Sequence, residues 1–214
     1  MTDPNFKLPD SVLYTGQRPT LFIWGAPTDA EKVESLADTL LARGFAIAQC
    51  TAKSNQLPQA LLEYEECVAR SQVPRARVAV AGIGDTADML SARFNDFNRI
   101  VSPRGAVLLG TRVGAEELNR LTCPYLVLHG SEDPVVASEK YASIEAGIHH
   151  HQQRYGDTTT QMVLNGLGVD LGTGRLDAEV LVNVCEWLMK AMREDLKHHQ
   201  ESALSSSSSS STAA

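Results

Sequence analysis

Two short turns of this chain carry side chains that can take part in catalysis. The first covers residues 82–87, with the sequence GIGDTA, in which Asp85 is an ionisable group directly after two glycines. The second covers residues 129–133, HGSED, and contains His129 and Asp133. An imidazole and carboxylates within hydrogen-bond reach of one another can move protons and activate a nucleophile. Hydrolysis by Asp85, Asp133 and His129 is therefore one hypothesis for this chain.

The first turn also matches the pattern G-x-G-x-x-A of dinucleotide-binding proteins, in which a phosphate lies at a helix N-terminus. Gly82 and Gly84 are the two glycines of that pattern. The turn follows the third predicted strand rather than the first, and Asp85 places a negative charge where the phosphate would lie. Nucleotide binding through Gly82 and Gly84 is kept as a further alternative.

Histidines and cysteines elsewhere in the chain lack the spacing of a metal site. His149, His150 and His151 are adjacent, and three consecutive side chains of a regular element cannot all face one ion. We therefore expect a solvated turn at these histidines, and no metal or cofactor. The cysteines are far apart and form no CxxC pair, which favours buried apolar thiols. They are Cys50, Cys67, Cys123 and Cys185.

Short apolar runs alternate with helical patterns along the chain and must position these turns. The runs predict strands at 20–24, 45–50, 77–81, 106–109, 124–129 and 161–164. Strands separated by helices need crossover connections, which predicts a parallel sheet covered on both faces. Ligands of such folds bind beyond the carboxyl ends of the strands. The predicted pocket residues lie at those ends: Trp24, Gly25, Gly82, Ile83, Gly84, Asp85 and Thr111.

Helices are predicted between the strands. Residues 28–31, TDAE, have the pattern of a capping box that begins a helix. A short helix contains Glu116 and Leu118. Further helices are predicted near 57–71, 86–95, 138–146 and 177–196.

Two segments resemble the α/β-hydrolase family. Residues 123–136, CPYLVLHGSEDPVV, resemble the strand and HGxxD turn that carry the family's triad acid, which implies that role for Asp133. Residues 77–90, RVAVAGIGDTADML, resemble the nucleophile elbow G-x-S-x-G, with Gly84 in place of the serine. In the loop after the last strand, Val169 stands where the family has its histidine. The pattern is also similar to a bacterial domain family of unknown function, related to α/β-hydrolases, in which the elbow serine is often lost.

This resemblance implies an α/β-hydrolase-like fold. It predicts a three-layer α/β/α sandwich around a mostly parallel sheet of six to eight strands, with no lid. Gly84 has no atom that can attack a carbonyl, and Val169 cannot accept a proton. We therefore expect a catalytically inactive homologue that acts as a binding or protein-interaction module. The alternatives are an unorthodox hydrolase that uses Asp85, Asp133 and His129, and, third, a nucleotide-binding protein.

With two triad positions empty, the surroundings of Asp133 can also be predicted. We expect Asp133 to accept hydrogen bonds from backbone N–H groups of its own loop, or to lie near the last-strand loop without a histidine partner.

Composition and length place the chain among soluble globular proteins. It has 214 residues, 43% hydrophobic and 21% charged, and a net charge of −7. The negative charge disfavours nucleic acids and anionic membranes as partners, leaving an unknown protein or small-molecule ligand. No apolar run reaches the ~20 residues of a membrane span, and no secretory signal is visible, which predicts a cytoplasmic location. The predicted division is an N-terminal segment at 1–19, with the potential to add an edge strand, a hydrolase-like domain at 20–196 and a disordered serine-rich tail at 197–214.

Overall fold

A computed structural model describes residues 19–70 and 78–192 of the protein. In these ranges the strands form one parallel sheet with the order β2-β1-β3-β4-β5-β6. The strands are Thr20–Trp24 (β1), Ala46–Cys50 (β2), Val78–Ile83 (β3), Ala106–Leu109 (β4), Tyr125–Gly130 (β5) and Thr160–Leu164 (β6).

Helices connect consecutive strands, as crossovers between parallel strands require. They are Ala30–Leu41 (α1), Leu57–Arg70 (α2), Asp85–Ala92 (α3), Phe94–Ile100 (α4), Ala115–Leu118 (α5), Glu139–Tyr155 (α6) and a last helix described over 178–192 (α7). Two 3-10 turns, Pro27–Asp29 and Gly156–Thr158, precede α1 and follow α6.

The sheet is buried on both faces because its central strands are apolar at nearly every position. Leu21 and Ile23 of β1 pack towards α1 and α7, whereas Phe22 and Trp24 pack towards α2, α3 and α4. Alternation along a strand thus supplies both cores, and each fully buried side chain of this size contributes about 2 kcal/mol of transfer free energy. The three-layer α/β/α architecture is confirmed.

The strand predictions are confirmed to within two residues. β1 and β4 have the predicted bounds, and β3 continues to Ile83, beyond the predicted end at Ala81. The additional pairing of Ile83 with Leu109 of β4 extends this strand. The longer strand places the turn at Gly84 at the carboxyl end of the sheet.

The predicted capping box at 28–31 is wrong. Pro27 begins a 3-10 turn, and α1 starts at Ala30 with Asp29 as its N-cap, without a hydrogen bond from the cap side chain. The fixed φ of proline favours this helical entry. The Asp29 carboxylate instead accepts a hydrogen bond from Lys32 Nζ at 3.1 Å.

The histidine run lies in a helix rather than in the predicted solvated turn. α6 continues past the predicted end at Ala146 to Tyr155. Its buried face extends through Ile144, Ile148 and His151, at the spacing of one side of a helix. This face packs on the sheet, so the polar run does not end the helix.

His151 is the inward-facing histidine of the run and is 5% exposed. Its Nε2 donates to the carbonyl oxygen of Leu121 at 2.8 Å, which leaves Nδ1 to accept from the Thr159 hydroxyl at 3.0 Å. Burial lowers the pKa of His151 from its ordinary value. His149 and His150 are exposed. Among the described residues, no group of three His, Cys, Asp or Glu side chains is placed to hold a metal ion.

The four cysteines are free and buried, as the sequence predicts. Burial raises the pKa of Cys50 to about 12, and those of Cys67 and Cys185 to about 11. Burial also raises the pKa of Cys123. Thiols with such values carry little thiolate at neutral pH and are weak nucleophiles.

Some predictions lie outside the described residues. These are the N-terminal segment up to residue 18, the serine-rich tail at 197–214 and the last residues of the predicted final helix. They stay predictions. Within the two described ranges, no helix combines the length and apolar character that crossing a membrane requires.

Candidate functional site

The turn from β3 into α3 is a sharp elbow centred on Gly84. Gly84 is the N-cap of α3 and has φ 58° and ψ −126°, a conformation that residues with a side chain rarely adopt. A Cβ built on Gly84 meets no other atom within 4 Å. The elbow therefore has room for an outward side chain and carries none.

Close packing beneath the elbow holds its shape. A Cβ on Gly82 would lie 2.5 Å from the Cα of Ala87, so glycine at this position allows β3 and α3 to pack closely. The buried hydroxyl of Thr86 accepts a hydrogen bond from the Ile83 N–H at 3.0 Å and donates to the Trp24 carbonyl at 2.7 Å. Hydrogen bonds of Thr86 thus connect the elbow to the end of β1.

An arginine that the sequence analysis did not single out lies over the first turn of α3. Arg112 forms ion pairs with Asp85 and with Asp88, the latter at 3.6 Å. The same Asp88 carboxylate accepts hydrogen bonds from the Thr111 hydroxyl and the Arg112 backbone N–H, each at 2.7 Å. The loop after β4 is therefore fixed onto α3, and Asp85 is engaged by a cation.

Asp133 is buried in the loop after β5, together with His129. Asp133 Oδ1 accepts a hydrogen bond from the Val135 N–H at 2.9 Å, and Oδ2 lies 3.4 Å from His129 Nδ1. The other ring nitrogen of His129, Nε2, is buried and has no hydrogen-bond partner among the described residues. Burial lowers the pKa of His129, although the neighbouring Asp133 carboxylate opposes this shift. The imidazole is therefore mainly neutral at pH 7.

The structure brings together only two of the three residues proposed for an unorthodox hydrolase. His129 and Asp133 are neighbours, but no hydrogen bond in the described ranges joins either of them to the exposed Asp85. The expectation that Asp133 binds a backbone N–H of its own loop is confirmed by Val135. His129 is an additional neighbour, and it comes from β5 rather than from the last loop.

Val169 and the elbow lie on opposite sides of the end of β4. The Gly84 N–H donates to the Leu109 carbonyl at 2.8 Å. The next residue, Gly110, approaches the last loop so closely that a Cβ there would lie 3.1 Å from the Val169 carbonyl oxygen. Val169 is 49% exposed. An exposed aliphatic side chain therefore stands where the resemblance expects a base.

The loops after β5 and β6 are joined to each other. The Ser131 N–H donates to the Leu164 carbonyl at 2.8 Å, and the Ser131 hydroxyl accepts from the Gly166 N–H at 3.0 Å. A Cβ on Gly130 would collide with the Leu167 carbonyl. The Asp133 loop and the Val169 loop thus form one closely packed unit.

A cavity of about 650 Å³ opens between this unit and the loop after β1. Lys32 lies at its side and is only 7% exposed. Its Nζ donates to Asp29 Oδ1 at 3.1 Å and to Asp170 Oδ1 at 3.3 Å, which offsets the cost of burying a charge. No sequence pattern singles out Lys32, because it lies among other charged residues of an amphipathic helix. The cavity is lined by Thr28, Lys32, Glu132, Pro134 and residues 166–174.

The pocket residues predicted from strand ends differ from those that line this cavity. Gly84 and Asp85 reach the surface. Trp24 is buried and its Nε1 donates to the Ala52 carbonyl at 2.8 Å, which fixes a neighbouring loop. The remaining predicted residues are likewise buried: Gly25, Gly82, Ile83 and Thr111.

Comparisons with known proteins find likeness in structure only. No family model and no curated protein sequence matches this chain. It is similar to Est1E from Butyrivibrio proteoclasticus, with a TM-score of 0.56 and 12% identity over 83% of this chain and 89% of that one. The esterase domain of a Rhodothermus marinus protein gives a TM-score of 0.58, with 13% identity over 80% and 86% of the two chains. For the Pyrococcus furiosus esterase Pf2001 the TM-score is 0.57, with 12% identity over 82% of each chain.

Identities of this size carry no information on activity, but the likeness covers most of each chain. It agrees with the parallel sheet covered by helices on both faces that this structure shows. From this agreement we conclude that the protein has an α/β-hydrolase-like fold.

Proposed function

We propose that this protein is a catalytically inactive α/β-hydrolase homologue that acts as a binding or protein-interaction module. The observation that carries the proposal is Gly84, whose elbow geometry and open surroundings hold no side chain. Acyl transfer by the usual route needs an attacking atom and a base that takes its proton. Gly84 supplies no attacking atom, and Val169 supplies no base.

The cavity at Lys32 is the binding site in this proposal. Its volume of about 650 Å³ is in the range of pockets for small molecules. The buried Lys32 ammonium and the exposed Asp170 carboxylate offer both signs of charge for recognition. A polar small molecule or a short polar peptide segment fits these features.

The unorthodox hydrolase is less well supported by the geometry. A carboxylate nucleophile at Asp85 needs a free oxygen directed at the substrate, whereas Arg112 binds this side chain. A general base must reach the substrate or a water molecule, whereas His129 is fully buried against Asp133.

Nucleotide binding is also less well supported. Gly82 allows β3 and α3 to pack closely, a role that needs no phosphate. Asp85 and Asp88 add two carboxylates in the first turn of α3, where a phosphate would need donors and positive charge.

The experiment is an esterase assay of the purified protein with p-nitrophenyl acetate and p-nitrophenyl butyrate at neutral pH. Esters are the substrates to test because the similar solved structures are named esterases. The expected result is turnover no faster than that of the Asp85→Asn variant prepared in parallel. Robust turnover by the unmodified protein that Asp85→Asn or His129→Ala abolishes would overturn the proposal.

A further inference from the structure

The outer edge of β2 is open among the described residues. β2 is the first strand of the sheet, and within residues 19–70 and 78–192 it pairs with β1 alone. The Ala46 N–H donates to the Pro19 carbonyl, and the Cys50 carbonyl accepts from the Gly25 N–H. Because backbone groups alternate in direction along a strand, those of Ile47 and Gln49 point away from β1. The N–H and C=O groups of Ile47 and Gln49 are therefore available to a further strand.

β2 lacks the features that usually protect an exposed sheet edge. Its sequence, AIAQC, contains no charged residue and no proline, and all five residues are in register with β1. Charged side chains, prolines and bulges are the means by which edge strands avoid pairing with another chain. The edge of β2 is thus suited to accept a strand.

A groove of about 580 Å³ lies between this edge and α2. Apolar side chains that line it include Phe22, Ala48 and Cys67, which belong to or pack against the same core. Helix α2 adds a polar wall, which consists of Gln59, Glu63, Glu66 and Arg70. Glu66 and Arg70 form an ion pair with each other at 2.8 Å. The groove therefore fits a side chain with an apolar body and a polar end.

The chain that precedes β1 begins beside this edge. Residues 1–18 lie outside the described part of the chain and join it at Pro19, the residue whose carbonyl binds the first residue of β2. Residues 11–15 have the sequence SVLYT, in which valine, tyrosine and threonine are residues favoured in strands. Pro9 and Gly16 bound this run, which has the same length as β2.

We propose that residues 11–15 pair with the outer edge of β2 as an antiparallel strand. In the register that places Leu13 opposite Ile47, these two residues exchange both N–H···O bonds, through the groups of Ile47 that point outwards. Ser11 is then opposite Gln49, the other residue with outward backbone groups. Each available group of the edge thus receives a partner.

The same register matches side chains across the two strands. Val12 and Tyr14 are placed opposite Ala48 and Ala46, so large side chains face small ones on one side of the sheet. Ala48 packs towards the core that lies behind the groove. The Tyr14 side chain has an apolar ring and a polar hydroxyl, the combination that the groove fits.

The short connection to β1 requires the antiparallel direction. Neighbouring strands are about 4.8 Å apart, so a strand outside β2 is about 10 Å from β1. From Thr15 to Thr20, five peptide units reach at most about 17 Å. An antiparallel strand brings Thr15 to the amino end of β2, level with Thr20, and is within this reach. A parallel strand would leave Thr15 at the carboxyl end of β2, and a path back around β2 exceeds this reach.

This inference goes beyond the proposed function, because it involves neither the elbow nor the cavity at Lys32. It makes the N-terminal segment the strand that closes the sheet. A second copy of the chain or another protein can then pair with β2 only by displacing residues 11–15.

The test is amide hydrogen exchange of the full-length chain, measured for each residue by NMR. The Ile47 and Gln49 amides are expected to exchange within about tenfold of the rate of the Ala48 amide, which faces β1. Leu13→Pro removes a donor from the added strand and is expected to accelerate exchange at Ile47 and Gln49 by about tenfold or more. An unchanged rate at Ala48 shows that the variant is folded.

The matched control is Asn5→Pro, which introduces the same residue before the strand run. It is expected to leave the exchange of Ile47 and Gln49 unchanged. Exchange of these two amides at the rate of an unfolded chain in the unmodified protein overturns the proposal, and so does equal acceleration by Asn5→Pro.

Engineered disulfides test the direction of the strand and the identity of its partner. Ser11→Cys combined with Gln49→Cys is expected to cross-link within one chain, because the register places these residues opposite each other. Thr15→Cys combined with Gln49→Cys is the control and is expected to cross-link less. The native cysteines are buried, and non-reducing electrophoresis reads out the result. Preferred cross-linking of the Thr15→Cys pair overturns the antiparallel direction, and cross-linked dimers would assign the edge to a second copy of the chain instead.

Discussion

His129 Nδ1 lies 3.4 Å from Asp133 Oδ2, and the two side chains are 0% and 1% exposed. In the hydrolases that this chain resembles, the carboxylate at this position orients a histidine from the last loop. Here the neighbouring imidazole comes from the preceding strand, and the last loop presents Val169. The Asp133 carboxylate is therefore part of a buried structural pair.

Replacing Asp133 tests this structural role. Asp133→Asn is expected to lower the free energy of unfolding by about 1 kcal/mol, because the amide oxygen still accepts from the Val135 N–H while the charge is lost. Asp133→Ala is expected to cost about 3 kcal/mol, since it leaves that buried N–H without a partner. Urea unfolding of both variants measures the difference, and equal stability of Asp133→Ala and the unmodified protein would contradict the role.

Acidification is expected to destabilise the protein through its buried histidines. Burial lowers the pKa values of His129 and His151 in the folded state. In the unfolded chain the pKa of each histidine returns to the ordinary value of about 6.5. Below about pH 6.5 the unfolded chain therefore binds more protons than the folded one, and the free energy of unfolding falls as the pH falls. Urea unfolding at a series of pH values measures this slope. His151→Gln is expected to reduce it and His149→Gln, at an exposed position, to leave it unchanged; equal slopes in both variants would count against the explanation.

Two glycines of the elbow are expected to respond differently to the same substitution. Gly82→Ala forces a Cβ to within 2.5 Å of the Ala87 Cα, so β3 and α3 must separate, at a cost of about 3 kcal/mol. Gly84→Ala meets no atom and carries only the strain of its positive φ, about 1 kcal/mol. Thermal and urea unfolding of the two variants test the order. A Gly84→Ala variant less stable than Gly82→Ala would show that the elbow geometry is misassigned.

Restoring the missing nucleophile alone is expected to fail. Gly84→Ser places a hydroxyl in open space at the elbow, but a serine hydroxyl needs a base to take its proton. We expect no ester turnover from this variant. Val169→His in the same background adds the base, so any turnover in the double variant must disappear when either change is reversed. Turnover by Gly84→Ser alone would mean that another residue acts as the base.

The buried cysteines are expected to resist thiol reagents in the native state. Because burial raises the pKa of Cys50 to about 12 and that of Cys185 to about 11, both thiols stay protonated and shielded. At mildly alkaline pH, Ellman's reagent should react only slowly with the folded protein. After denaturation it should react with all four thiols. Rapid reaction of one thiol before unfolding would show that it is accessible.

Much of the fold is predictable from the sequence, because short apolar runs separated by turns indicate the strands of a buried parallel sheet. β1 and β4 were predicted with their observed bounds, since a buried parallel strand is a short, almost continuous apolar run. α6 was predicted to end too early because the histidine run is polar in composition. The last turns of α6 are buried through His151, whose ring forms hydrogen bonds with Leu121 and Thr159 outside the helix.

The position of the candidate site at the carboxyl ends of the strands is predictable from the sequence, but the contacts between its side chains are less so. Gly84, Asp133 and Val169 all follow predicted strands, so their place at the carboxyl edge followed from topology. The contacts of the His129 side chain did not, because they depend on packing: alternation along β5 places it on the face of Tyr125 and Val127, where its ring lies beside Asp133 and Tyr141. Lys32 was missed because its burial comes from a loop that lies far away in the sequence.

The joined loops after β5 and β6 also determine how this end of the molecule can move. The hydrogen bonds from the Ser131 N–H to Leu164 and from the Gly166 N–H to Ser131 oblige the two loops to open together, as one cooperative unit. Amide protons in both loops should then exchange with solvent at related rates. A ligand in the adjoining cavity would slow exchange in both loops at once, so hydrogen exchange can report occupancy before the chemistry of the ligand is known.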